Sequence, residues 1–128
     1  MGHGTVYAVT PPAAIGGAWS EAILHSYGSA GDGGYLDGSL VADSAGVLFG
    51  TTGRVDCLQQ PAGDGTVFSL YPPATPGGNW TNTVLYRFLD GFPANGNLLL
   101  GAGGTFYGTT AGACGAPDYG TVFALSSN

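Results

Sequence analysis

Eight carboxylates, two histidines and two cysteines are the groups in this 128-residue chain that could do chemistry. Acid–base work needs two of them held together with proton affinities pushed apart. Instead Glu21, Asp32, Asp37, Asp43, Asp56, Asp64, Asp90 and Asp118 nearly all stand beside Gly or Ala in stretches that read as turns, where Asp bonds its own backbone and shapes the loop. Asp32 and Asp37 in GDGGYLDG could reach one cation, yet the spacing lacks the alternation of a calcium loop and no bidentate Glu follows. There is no CxxC or HxxxH spacing, and His3 and His25 have no near companions, which disfavours zinc. No G-x-S-x-G elbow is present to complete a triad with His25. The Gly-rich stretches do not precede a helix, so they do not read as phosphate cradles. The expectation is a protein that is not an enzyme and carries no cofactor or metal.

What the sequence does repeat is Gly-Thr-Val-aromatic, at residues 4–7, 65–68 and 120–123. The repetition extends further: GTVYAVTPPAAIGGAW (4–19) aligns with GTVFSLYPPATPGGNW (65–80), and AGVLFGTT (45–52) with GGTFYGTT (103–110). A period of about sixty residues is long for one hairpin and suits a four-stranded unit. The whole of 1–128 is expected to be one repeat module, with repeat one at about 4–64, repeat two at about 65–119 and an extra partial strand at 120–128.

Periods of two, interrupted by Gly and Pro, make the chain all-β. In GTVFSLY, Val67 and Ser69 face one way and Phe68 and Leu70 the other; both faces are apolar, as a strand packed on two sides requires. SLVA (39–42) and NLLL (97–100) fit innermost strands. The Gly-Thr-Thr triplets Gly50, Thr51, Thr52 and Gly108, Thr109, Thr110 close the next strands, where a Gly signals a ring or backbone packed close by. WSEAILHSY (19–27) and WTNTVLYRF (80–88) alternate, which puts Trp19, Ile23 and Tyr27, and likewise Trp80, Val84 and Phe88, on one face. With strands labelled a to d, the chain reads c, d, a, b, c, d, a, b, c, which is nine antiparallel strands.

These elements, AGVLFGTT with GTVFSL and GGTFYGTT with GTVFAL, resemble the GloVer-type tandem repeat of bacterial surface and secreted proteins, over nearly the whole chain. The resemblance implies four-stranded propeller-like blades and brings no catalytic motif. Rings need about four to eight blades, and two repeats cannot close one. Copies are therefore expected to join through open blade edges into a ring or a filament, with a monomeric sandwich as the other outcome. Cys57 and Cys114 fall in equivalent loops between strands b and c, so a disulfide within or between chains stands beside two free thiols. Trp19, Trp80, Tyr35 and Tyr119 are candidates for stacking a sugar, although Trp19 and Trp80 recur at equal repeat positions, as a structural wedge would.

Composition limits the partners. Charged residues make up 8% of the chain, Arg54 and Arg87 are its only Arg or Lys, and the formal net charge is −6. Such a surface cannot neutralise a run of phosphates, so nucleic acid is not an expected partner. The longest apolar run, around Leu98 to Leu100, is far too short to span a membrane. MGHGTVY has none of the regions of a signal peptide. The sequence reading is thus a self-associating structural module, extracellular or at a cell surface, with a carbohydrate-binding, lectin-like propeller fragment as the alternative.

Overall fold

Two-residue alternation broken by Gly and Pro yields nine strands among the described residues, all paired antiparallel. The computed structural model describes residues 3–28, 32–36, 38–53, 65–88, 94, 96–112 and 119–126. Strands β1 (Thr5–Thr10) and β2 (Ser20–Ser26) form an N-terminal sheet. Strands β3 (Val41–Ala42), β4 (Leu48–Thr52), β5 (Thr66–Tyr71) and β6 (Thr81–Arg87) form a central sheet in chain order. Strands β7 (Leu99–Leu100), β8 (Thr105–Thr109) and β9 (Val122–Ser126) form a C-terminal sheet.

The hairpin connections are built alike in both repeats. Gly17 N–H donates to Ala14 O at 3.1 Å and Gly78 N–H to Thr75 O at 3.1 Å. The residue before each donor, Gly16 (φ 83°) or Gly77 (φ 79°), occupies the left-handed region that a side chain resists. The Gly-Gly pairs are therefore turn chemistry.

Two apolar cores share the central sheet. Val67 joins Val47, Phe49, Leu98 and Phe106 on the side of the C-terminal sheet, with Phe123 and Leu125 packed against them. Phe68 and Leu70 join Val6 and Tyr27 on the side of the N-terminal sheet, with Leu48 and Trp80 against them. The three sheets are therefore layers, and β5 lies in the middle of the middle one, with Val67, Phe68, Ser69 and Leu70 all at 0% exposure. Fully burying a Val, Leu or Phe side chain is worth about 1.5–3 kcal/mol, so this strand is the mechanical centre of the molecule.

The strand order read from the sequence, c, d, then a, b, c, d, then a, b, c, appears as sheets of two, four and three strands; only the central sheet has the four strands of a blade, and the described strands do not close into a ring. One expectation needs correction, the single-face reading of 19–27 and 80–88. Between Val6 and Tyr7 the pairing register shifts, so that His25 faces Val6 while Ile23 faces Tyr7; the same shift lies between Val67 and Phe68, opposite Tyr86 and Val84. The extra residue of a β-bulge reverses the alternation. Ile23 is accordingly exposed while Tyr27 is buried, and Trp80 packs in one core while Phe88 packs in the other.

Candidate functional site

The Gly-Thr-Thr and Gly-Thr-Val motifs meet across strands. Thr66 N–H donates to Thr52 Oγ1 at 3.1 Å and the two hydroxyls lie 2.7 Å apart. Thr121 N–H donates to Thr110 Oγ1 at 3.0 Å, with the hydroxyls at 2.8 Å. A side-chain oxygen thus extends the ladder by one bond in each repeat, and the threonines are already engaged with one another. Thr51 Oγ1 reaches to the next layer and donates to Gly96 O at 3.0 Å. Gly50 and Gly108 sit under the rings of Phe68 and Phe123, where an added Cβ would come within 2.6 and 2.5 Å of the ring tip. These are framework contacts.

Among the described residues the ionisable groups do not converge: no three His, Cys, Asp or Glu side chains are grouped to hold a metal. Asp43 Oδ1 accepts from Ala45 N–H and Val47 N–H, both at 2.9 Å, and so shapes the turn into β4. Asp32 accepts from Gly28 N–H at 3.3 Å. Glu21 stands opposite Val9 on the outside of the N-terminal sheet. Burial, with the charge of Asp32 adding to it, pushes the Tyr27 hydroxyl far above its ordinary range, so that group stays protonated and donates to Asn82 Oδ1 at 3.3 Å. Cys57, Cys114, Asp37, Asp56, Asp64, Asp90 and Asp118 lie outside the described residues.

The four proposed sugar-stacking residues stand on four different segments of the chain. Tyr35, with φ 55°, lies in the connection from β2 to β3, where its N–H donates to His3 O at 2.7 Å. Tyr119 precedes β9 and is exposed. Trp80 packs against the core shared with the N-terminal sheet, whereas Trp19, its repeat equivalent, is 65% exposed. A 380 Å³ cleft beside the C-terminal core is walled by Phe49, Tyr71, Leu85, Leu100 and Phe106. Its carboxylate, Asp43, is occupied by the turn.

Both outer sheets carry exposed large apolar side chains on one face: Tyr7, Val9 and Ile23 on the N-terminal sheet, with Trp19 just before β2, and Leu99, Tyr107 and Val122 on the C-terminal sheet. Tyr71, Leu85 and Tyr86 of the central sheet and Ile15, Tyr35, Leu40 and Tyr119 in the connections are exposed as well. Large apolar side chains gathered on one face mark interaction surfaces. No family model, curated protein or solved structure matches this chain. The open faces are thus the strongest site feature among the described residues, and the motif reading passed over most of them. The available signal was Tyr7 and Tyr107 standing where the repeat equivalents, Phe68 and Phe49, are phenylalanine.

Proposed function

We propose that this chain is a non-enzymatic structural repeat module that associates with copies of itself into a ring or a filament outside the cell. The observation that carries this reading is the unequal treatment of one strand type. Strand β5 is paired on both sides, by β4 and β6. Among the described residues its repeat equivalents β1 and β9 are each paired on one side, β1 with β2 and β9 with β8. An open ladder side is a template for another strand, and β1 and β9 leave opposite sides of the same strand type open. The exposed apolar faces support the same reading, as does the resemblance to GloVer-type repeats, which implies four-stranded propeller-like blades.

Light scattering behind a sizing column, over a range of protein concentrations, tests it. Discrete multimers or long polymers are the expected result. A monomer at every concentration would end the proposal. A sugar-binding reading draws on the exposed ring of Trp19, and a glycan array with Trp19→Ala as control tests it; binding abolished by that substitution would favour it over self-association.

A further inference from the structure

The three sheets pack with a constant polarity, and that polarity identifies what covers the outer faces. In β1, β5 and β9 the sequence positions correspond as Val6, Val67 and Val122, then Tyr7, Phe68 and Phe123, then Ala8, Ser69 and Ala124, then Val9, Leu70 and Leu125. Each strand therefore has a small face (Val and Ala or Ser) and a large face (aromatic and aliphatic). The small-face residue Val6 of the N-terminal sheet packs with Phe68 and Leu70, the large face of the central sheet. Val67 and Phe49, on the small face of the central sheet, pack with Phe106, Phe123 and Leu125, the large face of the C-terminal sheet. The same junction is made twice.

What remains open is one face of each kind. The N-terminal sheet exposes its large face through Tyr7 (56%), Val9 and Ile23, and the C-terminal sheet its small face through Val122 (81%), Tyr107 and Leu99. We infer that a second copy of this chain stacks its Val122–Tyr107 face on the Tyr7–Ile23 face of the first, repeating the internal junction between molecules. This rests on the self-association reading and assigns the contact to sheet faces, with the open ladder sides of β1 and β9 as the rival contact that the test separates.

Residue chemistry fits an interface that is wet until it forms. Tyr7 and Tyr107 carry a hydroxyl where Phe68 and Phe49, buried in the internal junctions, carry none. Tyr presents an apolar ring with a polar tip and is enriched at protein interfaces for that reason. The junction is heterologous, because a large face meets a small face and neither meets itself. Every added copy covers one open face and presents another of the same kind, so the stack always keeps one of each and growth continues unless the rotation closes a ring.

The test uses two variants that each block one face. Tyr7→Lys disables the large face and Val122→Lys the small face, and both positions are exposed, so folding should be retained and is checked by circular dichroism. Sedimentation velocity should show each variant alone as a monomer, with association weakened roughly tenfold or more, while their mixture forms a one-to-one dimer through the intact pair of faces. Ile23→Lys and Tyr107→Lys form a second pair if either first variant misfolds. If the single variants polymerise like the parent, face stacking is wrong while self-association stands. If a variant dimerises alone, the contact is two-fold and the inference is again overturned. A parent protein that is monomeric throughout removes this inference and the reading beneath it together.

Discussion

Ser69 is the clearest misfit at the residue scale. Its hydroxyl is buried and has no hydrogen-bond partner among the described residues, and the corresponding positions in the other repeats are Ala8 and Ala124. A buried polar group left unsatisfied costs about 1–3 kcal/mol. Ser69→Ala should therefore leave stability unchanged or raise it by about 1 kcal/mol, read from the urea midpoint; a loss would show that the hydroxyl has a partner. Gly50→Ala should act in the opposite direction, since the new Cβ would fall 2.6 Å from Phe68 Cζ, and overpacking of a core typically costs about 1–3 kcal/mol. Tyr27 adds a pH dependence. Its proton is held more tightly in the fold than in the open chain, because burial and then Asp32 raise its pKa from 10.0. That stabilisation is complete below pH 10.0 and is lost as the pH rises beyond it toward the folded value. Denaturation curves should weaken above that point, and Tyr27→Phe should flatten the decline; an unchanged slope would show that Tyr27 ionises as freely in the fold as in the open chain.

At the element scale, what a strand residue is worth depends on the neighbouring layer. Leu70 and Val9 hold the same repeat position, yet Leu70 is at 0% exposure and Val9 at 51%. Leu70→Ala should cost about 2–5 kcal/mol, while Val9→Ala in the monomer should stay within about 0.5 kcal/mol. Equal losses in thermal denaturation would mean that Val9 is covered in solution. The same contrast explains what the sequence made legible. Strand order and the two faces of β5 were readable because a period of two survives in Val67, Phe68, Ser69 and Leu70. The bulges opposite Val6/Tyr7 and Val67/Phe68 were not, since Leu24 and Leu85 look like any other strand residue and only pairing reveals the extra one. Nor could sequence separate Trp19 from Trp80: one residue type in one repeat position is open in one sheet and packed in another, because exposure belongs to the neighbour and not to the strand.

At the scale of the whole molecule, charge opposes the proposed association. Each copy carries a net charge of −6 and only two Arg or Lys, so stacked copies repel one another. Raising the ionic strength from about 0.01 M to about 1 M shortens the screening length from roughly 30 Å to 3 Å. Particle mass in sedimentation should rise with salt, and a fall would mean that contacts between opposite charges, not apolar faces, hold the copies together. The constant polarity of the layers reaches further than assembly. Each layer meets the one before it through its large face and the one after it through its small face, so an in-frame duplication of one repeat would lengthen the stack and present the same two ends. Stability in such an arrangement accumulates by neighbouring layers, which leaves the number of repeats free to vary between descendants of this chain without any new surface having to be invented.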